Sequence, residues 1–143
     1  MIDSILLVDD ENLFHLVFED ACSLLDISLS LQSIDSSDEA AKLFEGWQKD
    51  PKGKPECVFV DLNIIGSSYD GIELIRKINF EYGNNVIIGI ISSSNEPEEQ
   101  SKAINAGAQF WIIKSDEIEP RLEEFKKDFK GYKNRTNPFK VYK

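Results

Sequence analysis

The sequence predicts a doubly wound α/β domain built on a five-stranded parallel sheet. Three observations carry that expectation. Five short apolar runs alternate with helical patterns along the 143 residues. Most of these runs are apolar without interruption, the pattern of strands covered on both faces. Acids also stand at the ends of two runs: Asp9 and Asp10 close Ile5-Leu6-Leu7-Val8, and Asp61 closes Val58-Phe59-Val60. In an open parallel sheet, the carboxyl ends of strands beside the topological switch point line one crevice.

The first strand is predicted over Ser4–Val8, and the helix after it runs from about Glu11 to Leu25, apolar on more than one face. The second strand, Ser28–Ile34, alternates Leu29 and Leu31 with Ser30 and Gln32, which suits an edge strand with one wetter face. Ser36 and Glu39 have capping-box spacing and open a helix striped by Ala40, Phe44 and Trp47. The third strand is Cys57–Val60. Asp70 with Glu73 repeats the capping-box spacing ahead of a stripe at Ile75, Ile78 and Tyr82. The fourth strand is Val86–Ile91, and Asn95 followed by Pro97 and Glu98 starts the fourth helix. The fifth strand is Phe110–Ile113. The last helix, striped by Ile118, Leu122, Phe125 and Phe129, is expected to stop at Gly131. Successive βα units of this kind join through right-handed crossovers. Residues 1–130 therefore read as one domain. Residues 131–143, with Asn134, Asn137 and Pro138, read as an unstructured or loosely docked tail.

Composition narrows the function classes. Apolar residues at 41 % and charged residues at 29 % suit a soluble globular domain. No apolar stretch approaches a membrane span, and no basic leader with a long apolar segment opens the chain, so a cytoplasmic protein without membrane contact is expected. Cys22 and Cys57 read as reduced core thiols. The net charge of −10 argues against nucleic acid binding by the body of the domain. The charge is uneven: the tail carries Lys133, Arg135, Lys140 and Lys143 and no acid, so taking its +4 from the total leaves −14 on residues 1–130. An acidic surface of this kind keeps a domain soluble and can steer a basic partner.

The three strand-end acids carry the chemistry. Converging carboxylates repel one another unless a hard cation sits among them. That points to a divalent metal and phosphate chemistry.

The arrangement resembles the receiver domain of bacterial two-component response regulators. The resemblance rests on Leu7-Val8-Asp9-Asp10-Glu11, Val60-Asp61-Leu62-Asn63, Ser92-Ser93, and Ala106-Gly107-Ala108 followed by Trp111 and Lys114, all in order at strand ends. It implies the flavodoxin-like receiver fold with strand order 2-1-3-4-5. It also implies Mg²⁺ bound by Asp10, Asp61 and the backbone carbonyl of Asn63, with Asp9 holding a metal-bound water. Asp61 is then the nucleophile that forms an acyl phosphate. Lys114 neutralises the phosphoryl oxygens, and the Ser92 hydroxyl donates to one of them. In the family, that contact draws the hydroxyl residue inward and an aromatic on the fifth strand swings after it; Trp111 holds that position. The implied donor is a histidine kinase or a phosphotransfer protein, and the implied output goes through another protein. Because the tail is too short for a further domain, a stand-alone receiver is expected, catalysing only its own aspartyl phosphorylation and dephosphorylation.

Two departures from the family pattern stand out. Ser115 follows Lys114 where the family usually has a cis-proline, so either a trans bond with a reshaped loop or a strained cis bond is expected. The loop from Asp61 to Gly71 is longer than usual and has Ile65 where proline is common, with Gly66, Ser67 and Ser68 beside it. Ile64 and Ile65 either pack inward or form an exposed apolar partner contact. Ser94 and Asn63 flank the path of water to the acyl phosphate, and neither is a good general base. His15 reads as a surface or packing residue. Two other functions compete: a protein-binding module indifferent to phosphorylation, and a Mg²⁺-dependent phosphohydrolase. The hydrolase pattern asks for an acid two residues after the nucleophile, where this chain has Asn63.

Overall fold

The structure is a computed structural model that describes residues 2–64 and 70–143. Its strands are β1 (Ile2–Val8), β2 (Ser28–Ile34), β3 (Cys57–Asp61), β4 (Ile87–Ser92), β5 (Phe110–Ile113) and β6 (Lys140–Tyr142). Its helices are α1 (Asn12–Leu25), α2 (Ser37–Lys49), α3 (Gly71–Tyr82), α4 (Pro97–Ala106) and α5 (Glu119–Lys133), with a 3-10 turn at Pro51–Gly53. All strand pairings are parallel, in the order β2-β1-β3-β4-β5-β6. The sheet thus has six strands rather than the expected five, and the first five keep the expected order. Among the described residues, no helix is long and apolar enough to cross a membrane.

The period of two in the strands divides the core into two layers. Ile5 and Leu7 of β1, Cys57 and Phe59 of β3, and Phe110 and Ile112 of β5 face the cluster that holds Phe14 and Phe18 of α1 and Phe125 of α5. Leu6, Val8, Val58, Val60 and Trp111 face the other cluster, with Phe44 of α2, Ile75 of α3 and Ala103 of α4. Both faces are covered, which is why these runs are continuously apolar. A slip of one residue would exchange the two sets, so the register is strongly fixed. β2 lies at the sheet edge, as its alternation suggests, with Leu29 exposed.

Helix starts follow the sequence closely. Ser36 accepts from the Glu39 amide, and Asp70 with Glu73 forms the full reciprocal box. The fourth helix differs: its N-cap is Glu96, which makes no side-chain cap bond, and the Asn95 side chain binds Gln100 instead. Pro97 at the first helical position fixes the start.

The tail is the main correction. α5 does not stop at Gly131 but runs on to Lys133, and the chain then turns back to add β6 against β5. Gly131 serves close approach instead of termination: a Cβ there would lie 2.0 Å from Asn137 Oδ1. The Asn137 amide group donates to the Asp128 carbonyl at 2.8 Å, and the Thr136 N–H donates to the Gly131 carbonyl at 2.9 Å. The tyrosines then lock the strand. Tyr142 donates to Asp128 Oδ2 at 2.7 Å, and the Tyr132 hydroxyl lies 2.8 Å from that of Tyr142. Lys140 bridges Glu124 at 2.7 Å and Asp128 at 3.0 Å. The Tyr142 hydroxyl and the Lys140 ammonium hold Asp128 below the usual carboxylate range. Asparagines and a proline belong to the reversal, so their presence did not mean a loose extension.

Tyr142→Phe removes one hydroxyl from this buried network and leaves Tyr132 and Asp128 short of a partner. Urea unfolding should register a loss of about 1–2 kcal/mol. Unchanged stability would mean that the polar lock contributes nothing.

Candidate functional site

Strand register brings the predicted site together. Val8 pairs with Val60, so Asp9 and Asp61 follow side by side at the ends of β1 and β3. Asp61 pairs with Ile91, and Ser92 pairs with Ile113, so Ser92 and Lys114 end the next two strands. Two further bonds pin these ends: Lys114 N–H donates to the Ser92 carbonyl at 2.8 Å, and Asp9 N–H donates to the Ile34 carbonyl at 3.0 Å. Gly71 brings α3 against β3, since a Cβ there would lie 2.4 Å from the Asp61 carbonyl oxygen.

One ammonium meets several carboxylates in this crevice. Lys114 Nζ lies 2.9 Å from Asp9 Oδ2, 2.8 Å from Glu11 Oε1 and 3.7 Å from Asp61 Oδ2. It also lies 4.8 Å from the centre of the Phe14 ring, a cation–π contact. Asp9 and Asp61 are buried and Asp10 is half-buried. One carboxylate oxygen from each of these three lies within 4.8 Å of the others. Asp9 Oδ1 accepts from the Glu11 amide at 2.8 Å, and Asp61 Oδ1 accepts from the Asn63 amide at 3.3 Å. Asp9 Oδ2 faces the Lys114 ammonium at 2.9 Å. Three carboxylate oxygens gathered this closely, two of them from buried residues, are a donor set of the kind that could hold a hard cation.

The electrostatics follow from burial. Asp61 is pushed up to about 6, first by burial and then by the charge of Asp9, against the opposing effects of Lys114 and the Asn63 amide. Asp9 is raised as well, mainly by burial. For Lys114, burial pulls the ammonium down, but Glu11, Asp9 and Asp61 together outweigh it and the net shift is upward. The lysine therefore stays charged.

Each remaining predicted residue has a definite place. Ser92 is buried, and its Oγ accepts from the Ser94 amide at 3.2 Å. Trp111 is wholly buried, and its indole N–H donates to the Ser94 carbonyl at 3.1 Å. The Lys114–Ser115 bond is trans, the first of the two alternatives. The Ser115 hydroxyl accepts from the Glu117 amide at 3.1 Å and from Arg121 at 2.6 Å, which gives the loop its shape without proline. Ile64 is buried, so it packs inward; Ile65, Gly66, Ser67 and Ser68 lie outside the described residues. His15 lies on α1 with Nε2 2.5 Å from the Asp9 carbonyl oxygen, a packing role beside the site. Sequence reasoning missed the ionic role of Glu11, the ring of Phe14 under Lys114, and a bond from Ser94 to Glu99 Oε1 at 3.0 Å. Glu11 directly follows the acid pair, a signal that could have been read.

Comparison with known proteins agrees with this geometry. The family model described as the response regulator receiver domain matches residues 5–123. No curated protein sequence matches the chain. Among solved structures, NtrX from Brucella abortus is similar at a TM-score of 0.77 and 22 % identity, over 94 % of this chain and 29 % of that one. The chain thus spans under a third of that protein's length. A signal receiver domain of an HD domain-containing protein from Pseudomonas fluorescens Pf-5 gives 0.73 and 18 %, over 94 % and 99 % of the two chains. A response regulator from Thermotoga maritima gives 0.70 and 23 %, over 89 % and 97 %.

The raised carboxyl of Asp61 has a measurable consequence. Its ionisation costs the folded state, and that cost develops as pH rises from 3.8 through about 6. In chelator at about pH 8, Asp61→Asn should be more stable than the parent by about 2–3 kcal/mol, and the difference should shrink toward zero at about pH 4. Urea titrations at the two pH values check this; a gap independent of pH would contradict the raised carboxyl of Asp61.

Proposed function

The chain belongs to the response regulator receiver domain family, and on that premise we propose that Asp61 accepts a phosphoryl group and that the phosphorylated domain signals through a protein–protein surface. The observation that carries the reading is the position of Lys114, whose ammonium reaches both Asp9 and Asp61 at the mouth of the central strands.

The chain's own residues account for most of the chemistry. Phosphoryl transfer needs positioning and charge neutralisation more than covalent assistance. Asp61 ends a rigid, fully covered strand, and the Asn63 amide fixes one of its oxygens. The other oxygen, 3.7 Å from the Lys114 ammonium, attacks phosphorus. A P–N bond breaks if the donor is phosphohistidine, and the leaving imidazole takes a proton. Lys114 then turns from Asp9 and Glu11 toward the new phosphoryl oxygens. The Ser92 hydroxyl donates to one of them. Asp10, Asp61, the Asn63 carbonyl and, through a water, Asp9 would hold Mg²⁺. Bound there, Mg²⁺ supplies charge that offsets the carboxylates and the incoming phosphoryl oxygens. Leu13 and Leu16 stand exposed on α1 beside the acidic loop and offer an apolar landing for a histidine kinase or phosphotransfer donor. The protein acts on no other substrate in this reading, and its setting is the cytoplasm.

The competing reading is a binding module that ignores phosphorylation, and labelling separates the two. Incubation with acetyl phosphate and Mg²⁺, followed by intact mass, should show gain of one phosphoryl group. Asp61→Ala should abolish the gain and Lys114→Ala should weaken it. A parent protein that never gains mass would favour the binding module.

Mg²⁺ binding should itself depend on pH, because a proton competes with the cation at Asp61. Calorimetry should give an affinity roughly tenfold weaker at about pH 5 than at about pH 8. Asp61→Asn should bind more weakly and lose that dependence. Equal affinities for the parent at both pH values would remove Asp61 from the cation site.

A further inference from the structure

Three parts of the site meet at Ser94. Its amide donates to Ser92 Oγ at 3.2 Å, and the two hydroxyl oxygens lie 3.4 Å apart. Its own hydroxyl donates to Glu99 Oε1 at 3.0 Å, in the first turn of α4. Its carbonyl accepts from the Trp111 indole at 3.1 Å. One residue therefore touches the hydroxyl that would meet the phosphoryl group, the aromatic of β5, and a helix. That helix has no side-chain cap at Glu96, and the Ser94–Glu99 bond ties its first turn to the segment after β4.

Trp111 has little room to respond. Its side chain is 0 % exposed and its one donor is satisfied. Val141 of β6 sits opposite it in the sheet, and Phe139 and Val141 pack against the cluster that contains it. Turning the ring out would break a partly buried hydrogen bond and disturb a strand that Tyr142 and Lys140 tie to Asp128. Glu99, by contrast, is only half-buried, on the first turn of a helix.

We propose that Ser94 and Glu99 are positioning residues that carry the state of Ser92 into the first turn of α4, while Trp111 stays in place. The inference rests on the reading that Asp61 is phosphorylated. When the Ser92 hydroxyl turns to a phosphoryl oxygen, it leaves both the amide and the hydroxyl of Ser94. The Ser94 segment then resets, and its bond to Glu99 moves the helix start. The indole bond to the Ser94 carbonyl anchors the other side of that segment, so the displacement falls on α4. The two arrangements exist beforehand, and the phosphoryl group favours one of them.

Amide NMR of the full chain, with and without beryllium fluoride and Mg²⁺ as the phosphoryl mimic, tests this. In the parent, signals of Asp61 and Asn63 and of the first turn of α4 should shift. The Trp111 indole N–H should keep its position and its slow exchange. Glu99→Ala should keep the shifts at Asp61 and lose those in α4. Glu99→Gln, which retains an acceptor for Ser94, should restore the α4 shifts. Ser94→Ala should lose the α4 response as Glu99→Ala does. The inference is overturned if α4 responds equally in Glu99→Ala, or if the parent's indole signal moves and loses protection on loading. If signals at Asp61 fail to move in the parent and acetyl phosphate adds no mass, the phosphorylation reading itself is wrong and the inference goes with it.

Discussion

The ammonium of Lys114 is the interaction on which the site depends. Asp9 and Asp61 are buried at the ends of neighbouring strands, with Asp10 and Glu11 close by. Carboxylates desolvated together raise one another's pKa or tear the site apart. Lys114 answers Asp9, Glu11 and Asp61 at once, and its ammonium lies over the Phe14 ring. The compensation is incomplete, because Asp61 still sits near 6. That residual cost, from burial first and from the neighbouring Asp9 charge second, is what a cation would relieve. A site fully neutralised by its own lysine would have no use for one.

The rest of the fold keeps this balance in register. Two apolar layers, one under α1 and α5 and one under α2, α3 and α4, alternate residue by residue along β1, β3 and β5. A one-residue slip in any strand would put a polar or mis-sized group into each layer and move an acid or the lysine off the crevice. Core packing and site geometry are therefore the same constraint read at two places. The aromatic contacts among Phe59, Phe110 and Phe125, with centroids 4.5–5.3 Å apart, lock β3 and β5 to the same helix.

Much of this was legible in the chain. The five main strands, the capping boxes at Ser36 and Asp70, and the convergence of Asp9, Asp10 and Asp61 follow from periodicity and from where the acids interrupt it, while Ser92 and Lys114 entered through the resemblance to receiver domains. What escaped notice has physical reasons. β6 is three residues long, Lys-Val-Tyr, too short for a periodic signal, and it is held by side-chain bonds across the fold. Gly131 carries the same letter as a helix stop, and only the approach of Asn137 reveals its use. Asn95 lost the cap to Glu96 because Pro97 fixes the first helical residue. Ser94 reads from the sequence only as flanking the path of water; its bonds to Trp111 and Glu99 are set by the fold, and spacing does not encode them.

The sixth strand links these levels. β5 is only four residues long and would otherwise lie at the sheet edge, where short strands fray. β6 pairs with Phe110, Trp111 and Ile112, the residues that lead to Lys114. Its anchors, Tyr142 on Asp128 and Lys140 on Asp128 and Glu124, belong to α5 and lie apart from the acidic crevice. Lys114 hangs on the end of β5, bonded through its own amide to Ser92. A strand stiffened on both edges delivers that amide, and hence the ammonium, to one position. The basic tail therefore bears on the charge balance of a pocket it never touches, by steadying the strand that presents the lysine.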